Sequence, residues 1–204
     1  MTVKLWHSKD TRSLRPLWTL EEAGIPYELE MVPFPPRALK PDYITVNELG
    51  TVPFFVDGDL NMTESVAICH YLIDKYDQPQ LGIDKNHPEY GDYLNWLYHS
   101  DATLTFPQTL YVRYALLEKD KTHLREVADS YRVWYLKRLI RLARTLESRE
   151  FLCGGKFTIA DIAIAYALFL GEYLGFAKDY EPQVMDYLNR LKQRPAFIKA
   201  QSLS

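Results

Sequence analysis

The chain has 204 residues, 47% of them apolar, which is enough to bury one large core or two small ones and is not the composition of a disordered chain. Its 24 Lys and Arg stand against 27 Asp and Glu, so no overall basic field draws it to nucleic acid or to an anionic membrane surface. The two cysteines, Cys69 and Cys153, are far apart and in no metal-ligand or Cys-x-x-Cys spacing, which points to buried, inert thiols in a reducing compartment rather than to a disulfide scaffold.

The first residues enter a strand over Val3–His7 without the apolar run and small-residue cleavage site of a signal peptide. No stretch reaches the length of about 18 apolar residues that a bilayer span needs, so a cytoplasmic location is expected. Ser8 to Arg12 reads as a polar turn and Leu14–Ala23 as a helix ended by Gly24. Pro16 is tolerated only in a first turn, so this helix cannot begin much before Arg12, and the Thr11 hydroxyl is left beside unpaired backbone N–H groups. Tyr27 to Val32 alternates as a strand, and Pro33, Pro35, Pro36 and Pro41 predict an irregular segment after it.

The stretch Gly50-Thr51-Val52-Pro53-Phe54-Phe55-Val56-Asp57-Gly58 carries the most chemistry. Pro53 can take the first strand position without removing a ladder bond, and Asp57-Gly58 is a hairpin turn signal. X-Pro bonds alone have an appreciable cis population. A cis Val52–Pro53 bond would turn the Val52 main chain outward, where a peptide-like ligand can pair with it as a strand does. A helix over Glu64 to Tyr76 follows, with Ala67, Ile68, Tyr71 and Leu72 at helical spacing. Glu64 and Ser65 stand at its start, where free N–H groups and the dipole favour a carboxylate. Together these features describe a pocket for a small zwitterionic peptide within a compact α/β unit.

Asp77 to Pro88 has no periodicity and reads as a linker. Beyond it the pattern is helical: Tyr90 to Glu118 with a break at Pro107, Lys121 to Glu147, Thr158 to Leu174, and Val184 to Leu191. Thr158-Ile159-Ala160-Asp161 predicts a capping box, a structural feature. The basic residues between Lys137 and Arg149 read as a solvated helix face.

Asn47-Glu48-Leu49-Gly50-Thr51-Val52-Pro53, then Glu64-Ser65-Val66-Ala67-Ile68 and Tyr71-Leu72, resembles the glutathione-site motifs of the glutathione S-transferase superfamily, Asn-Pro-x-Gly-x-Val-Pro and Glu-Ser-x-Ala-Ile-x-x-Tyr-Leu. Thr11-Arg12-Ser13-Leu14-Arg15, continuing through Leu17-Trp18 to Leu20-Glu21-Glu22, is similar to the Ser-Arg-Ser-x-Arg-x-Leu-Trp-x-Leu-Glu-Glu segment of bacterial members. The Thr158 to Asp161 cap and the Arg194-Pro195-Ala196-Phe197 chain end resemble the family too. The resemblance implies a thioredoxin-like domain over residues 1–76, a linker over 77–88 and an all-helical bundle over 89–204. It also implies a two-fold homodimer, and glutathione as cosubstrate with no metal or organic cofactor.

By the same resemblance, Thr11 takes the place of the serine that stabilises the thiolate, with Ser13 and Ser8 as the other candidates and the Arg12 guanidinium adding positive potential. The turn holds no tyrosine or cysteine, which argues against the family classes that use those residues. Val52, with Pro53, falls against the cysteinyl part of glutathione, Glu64 and Ser65 against its γ-glutamyl end, and Thr51 where other members reach the glycine carboxylate. Asp101 corresponds to an acid that reaches the neighbouring subunit's glutathione. Phe106, Tyr111 and Tyr114, with His7 or Trp6 closing the floor, are the expected lining for an apolar electrophile. The implied reaction is attack of the thiolate on such electrophiles, or on hydroperoxides. The alternative is a non-catalytic or regulatory binding protein on the same fold.

Overall fold

The structure, a computed structural model, describes residues 2–118 and 124–203. They pack as two compact units, one running to Gly82 and taking in the chain from Lys192 onward, the other spanning Ile83–Leu191.

The first unit is built on a mixed four-stranded sheet of order β2-β1-β3-β4, with β1 at Val3–His7, β2 at Tyr27–Met31, β3 at Phe54–Asp57 and β4 at Leu60–Met62. β1 pairs parallel to β2, from Val3↔Tyr27 to His7↔Met31, and antiparallel to β3, where Trp6 faces Phe54. β3 turns back into β4, with Phe55 facing Met62. Side chains alternate along β1: Val3, Leu5 and His7 are buried on one face, while Trp6 lies on the other with Phe54, Val32 and Tyr43. The parallel β1–β2 connection is α1 (Leu14–Ala23), which buries Leu14, Leu17, Trp18 and Leu20 and ends where Gly24, at φ 64°, returns its N–H to the Leu20 carbonyl. Helix α3 (Ser65–Lys75) buries Ile68, Cys69, Leu72 and Ile73 and packs beside α1.

Several elements depart from the sequence expectation. The hairpin turns at Gly58-Asp59 rather than Asp57-Gly58, because Asp57 still pairs with Leu60 and Gly58, at φ 60°, takes the first central position. The proline-rich segment is not wholly irregular: Pro36–Leu39 forms the short helix α2, with its proline in the first turn, and Pro41–Thr45 winds as a 3₁₀ helix. A C-terminal helix, α10 (Pro195–Ser202), was not foreseen. It packs on α1 through an edge-on Trp18–Phe197 contact and through a two-pronged Arg194–Glu22 ion pair at 2.6 and 2.8 Å.

In the second unit the chain runs through α4 (Tyr90–His99), a π-helical stretch at Ser100–Thr105 and α5 (Phe106–Val112). The expected break at Pro107 is therefore absent. The Phe106 N–H reaches back five residues to the Asp101 carbonyl, so the helix has already widened when it meets a proline that has no N–H to give. A second π-helical stretch covers Arg113–Leu117. The helix expected from Lys121 is described from Arg125, as α6 (Arg125–Arg138), and its first residues lie outside the described residues. It is followed by α7 (Ile140–Leu146), α8 (Ile159–Tyr173) and α9 (Pro182–Lys192). The apolar α8 is buried along most of its length and opens on the predicted capping box of Thr158 and Asp161. Among the described residues no helix is long and apolar enough to cross a membrane.

Candidate functional site

The register of the sheet decides which loops meet. β1, β2 and β4 run toward one end of the sheet and β3 starts there, so the turn after His7, the segment after Met31, the Thr51–Pro53 approach to β3 and the Glu64–Ser65 start of α3 gather at that end. Val32 extends the pairing by one bond, from its N–H to the His7 carbonyl at 2.8 Å.

The turn after β1 is a buried cluster of hydroxyls. Asp10, at φ 58°, takes the left-handed conformation that aspartate tolerates better than most residues. Thr11 then sits so that its hydroxyl donates to the Ser8 carbonyl at 2.8 Å and lies 2.7 Å from Ser13 Oγ. Ser13 Oγ is in turn 2.7 Å from His7 Nδ1 and accepts the Ser8 N–H at 3.2 Å. The Ser8 hydroxyl is turned away to the Val32 carbonyl at 2.6 Å, and Ser8, Ser13 and His7 are essentially without exposed surface. Thr11 keeps 9% of its surface exposed. Of the three candidate hydroxyls, it is the one a ligand can touch. Arg12 is half-buried in the same turn.

His7 is therefore no floor for an electrophile: it faces the interior, on the opposite side of the sheet from Trp6, and the two cannot close one pocket. Burial lowers its pKa to about 4, with a hydrogen bond to the Ser13 main chain acting the other way, so the imidazole is neutral at physiological pH.

The loop before β3 is held from behind. The Thr51 carbonyl accepts from Asn47 Nδ2 at 2.8 Å and from the Tyr43 hydroxyl at 3.1 Å, and Asn47 Oδ1 accepts the Leu49 N–H at 3.1 Å. The buried Asn47 thus fixes a turn that Gly50 completes at φ 57°. A Cβ at Gly50 would stand 2.5 Å from Arg37 Cγ, because the Arg37 side chain lies across this glycine. The Val52–Pro53 bond is cis, as is Phe34–Pro35. Thr51 is exposed, Val52 half-exposed and Pro53 buried.

At the start of α3 the Glu64 carboxylate is exposed, and it does not cap its own helix. Ser65 is buried, and its Oγ accepts from Arg15 Nη1 at 3.0 Å. Arg15 is itself fully buried. Sequence reading gave no role to Arg15 or Arg37. The signal for Arg15 was a cation set among Leu14, Leu17 and Trp18 on the apolar face of α1; Arg37 carries none, since only the fold lays it over Gly50.

The remaining predicted residues lie in the second unit. Asp101 is half-buried on the first π-helical stretch, Phe106 is exposed and edge-on to Trp134, and Tyr114 is half-buried beneath Arg113. Tyr111 keeps 9% of its surface exposed and packs edge-on to Phe176 with ring centroids 4.8 Å apart. Cys69 and Cys153 are both buried, and burial pushes the Cys153 thiol up to about 12.

Family models described as the N-terminal and C-terminal domains of glutathione S-transferase match residues 1–74 and 100–195. Glutathione S-transferase 3 of Schizosaccharomyces pombe is 25% identical over 206 residues, covering 95% of this chain and 84% of its own. Among solved structures, a ternary complex of BphK, a bacterial GST, superposes with a TM-score of 0.81 at 26% identity over 98% of both chains. The glutathione transferase URE2P6 from Phanerochaete chrysosporium, in complex with oxidized glutathione, gives 0.81 at 26% identity over 99% of this chain and 96% of that one.

Proposed function

The chain belongs to the glutathione S-transferase superfamily, and we propose that its first unit holds glutathione with the sulfur over Thr11 and delivers it as thiolate to small apolar electrophiles. The observation that carries this reading is the meeting, at one end of the sheet, of the Thr11 turn, the Val52–Pro53 loop and the Arg15-bound Ser65.

Each part of the tripeptide has a matching group there. The exposed Glu64 carboxylate suits the γ-glutamyl ammonium, and Ser65 with the free N–H groups opening α3 suits its carboxylate. The Val52 main chain pairs with the cysteinyl unit in the manner of an added strand. The Thr51 hydroxyl carries no charge, and Arg37, lying over Gly50, supplies the cation for the glycine carboxylate. Arg12 adds positive potential to the turn.

A free cysteine thiol has a pKa of about 8.5, so only a small fraction is ionised at neutral pH. The Thr11 hydroxyl, donating to the sulfur at the amino end of α1, favours the charged form. The thiolate lone pair then forms the S–C bond while the leaving group departs with its electron pair. In the second activity proposed, the same thiolate attacks the terminal oxygen of a hydroperoxide, the O–O bond breaks to release an alcohol, and a second glutathione converts the resulting sulfenic acid to the disulfide and water. Phe106 and Tyr114 are the proposed aromatic lining for the electrophile. In a two-fold homodimer Asp101 would approach the neighbouring glutathione.

The test is glutathione-dependent turnover of a chromogenic aryl halide. Thr11→Ala should lower kcat/KM by about tenfold or more, the value of one charge-assisted hydrogen bond. An unchanged rate in both Thr11→Ala and Ser13→Ala removes this turn from the mechanism.

A further inference from the structure

His7 is a buried, neutral, titratable residue one hydroxyl removed from Thr11, and the reaction as described gives it nothing to do. Its geometry assigns it a task. Thr11 has one hydroxyl hydrogen, and that hydrogen is given to the Ser8 carbonyl at 2.8 Å. The 2.7 Å contact between Thr11 and Ser13 must then be donated by Ser13. Ser13 has spent its own hydrogen, so the 2.7 Å contact with His7 must be donated by Nδ1–H. The competing arrangement, Ser13 donating to the Ser8 carbonyl, has only a 3.4 Å contact. Along these three side-chain contacts the hydrogens therefore run one way, from His7 through Ser13 to Thr11, with the Ser13 main chain a second partner of the same imidazole.

We propose that His7 is a positioning residue for thiolate formation: by holding its proton on Nδ1 it makes Ser13 a donor to Thr11, and so leaves the Thr11 hydrogen to be passed from the Ser8 carbonyl to the glutathione sulfur. This rests on the assignment of Thr11 as the sulfur's partner. Were the chain reversed, with Nδ1 accepting from Ser13, Thr11 would have to donate inward to Ser13 and could offer the sulfur only lone pairs, which repel a thiolate. Aligned donors also polarise one another, so the outermost hydroxyl is a better donor than an isolated one. His7 does not act as the base, because a group held neutral down to pH about 4 cannot keep the thiol's proton at neutral pH. Its face of β1 is otherwise apolar, Val3 and Leu5, so the imidazole is the one side chain of that row able to donate to Ser13.

The experiment reads the pKa of the bound glutathione thiol, from thiolate ultraviolet absorbance against pH, beside the glutathione dissociation constant. His7→Leu should raise the bound thiol pKa by about one unit, a tenfold fall in the thiolate-to-thiol ratio, as Thr11→Val should, with the dissociation constant changed less than about threefold. His7→Asn, which can place an amide N–H where Nδ1–H was, should restore the wild-type value. Nitrogen NMR of the wild-type imidazole should find the proton on Nδ1. If Thr11→Val raises the pKa and His7→Leu does not, the positioning role falls and the Thr11 reading survives; if Thr11→Val changes nothing, both fall. Should His7→Leu fail to fold, Ser13→Ala breaks the same chain, and an unchanged thiol pKa in that variant overturns the proposal. An Asn variant that behaves like Leu, or a proton found on Nε2, overturns it as well.

Discussion

Arg15 Nη1 donates to Ser65 Oγ at 3.0 Å, from a side chain with no exposed surface, and so ties the first turn of α1 to the first turn of α3. The thiol end and the γ-glutamyl end of the proposed tripeptide site thereby share one buried strut. Removing the acceptor and removing the strut should differ. Ser65→Ala deletes one hydrogen bond, worth about 1 kcal/mol of stability, and should mainly weaken glutathione binding. Arg15→Ala empties a large buried volume as well and should cost about 2–5 kcal/mol. Arg15→Lys should recover little, since an ammonium lacks the planar fork. Urea unfolding and calorimetry with glutathione separate the two effects; equal destabilisation by Ser65→Ala and Arg15→Ala would contradict the strut.

Arg37 and Gly50 make the second prediction. If Arg37 binds the glycine carboxylate, Arg37→Ala should raise the glutathione dissociation constant by about tenfold at low salt and by less at high salt. Glutathione esterified at that carboxylate should bind wild type and Arg37→Ala alike. Gly50→Ala should weaken binding through the same residue, because it both displaces Arg37 and puts a Cβ at φ 57°, a conformation costing about 1–2 kcal/mol for an L side chain. A wild-type preference for glutathione over its ester that survives Arg37→Ala would remove Arg37 from the site.

The core of the helical unit contains a close-packed polar knot, and Gly171 makes room for it. The Tyr135 and Tyr180 hydroxyls are 2.5 Å apart, Tyr180 donates to the Leu168 carbonyl at 3.0 Å, and Gln108 Nε2 donates to the Ala167 carbonyl at 2.8 Å. A Cβ on Gly171 would collide with the Tyr180 hydroxyl and stand 2.7 Å from that of Tyr135. Neither ring can yield without stranding a buried hydroxyl. Gly171→Ala should cost about 3 kcal/mol or more, although alanine is the better helix former. Adding Tyr180→Phe should recover part of that loss in thermal unfolding, and a double variant less stable than Gly171→Ala would show that the hydroxyl is not the obstacle.

What the sequence disclosed and what it withheld follow from the range of the forces involved. Gly24, Pro16 and the Thr158-x-x-Asp161 box act within one turn of chain, and the helices they bound lie where the sequence placed them. Pro107 misled because its effect depends on the helical register upstream, which the π-helical stretch at Ser100–Thr105 had already changed. Helix α10 was missed because only Phe197 and Ala200 of its eight residues are buried, too few to set up a period. Thr11, Val52, Glu64 and Ser65 could be named from their motifs, and sheet pairing brings their segments to one end. Arg37 depends on contacts across the fold that no local pattern encodes, whereas the inward turn of His7 follows from the alternation of β1, which puts it on the face of Val3 and Leu5.

Asp161 gives the pH prediction. Its carboxylate accepts from the Leu152 N–H at 3.0 Å, the Tyr187 hydroxyl at 2.8 Å, and the Thr158 N–H and hydroxyl at 2.8 and 3.1 Å. Burial nevertheless outweighs these four donors and raises its pKa to about 6. In the unfolded chain the group titrates near pH 4. Between those values the folded state holds more protons than the unfolded one, so this residue's contribution is complete below about pH 4 and declines as pH rises through about 6. The decline amounts to roughly 2–3 kcal/mol at two pKa units. Asp161→Asn cannot titrate, and its amide would face the Thr158 N–H, donor against donor, at every pH. Wild type should therefore exceed the Asn variant most at about pH 4, with the gap narrowing by roughly 2–3 kcal/mol toward about pH 7. All other titrating groups cancel in that difference. Urea unfolding of both proteins across the range is the measurement, and two stability curves that run parallel would show that the carboxyl keeps its ordinary pKa despite its burial.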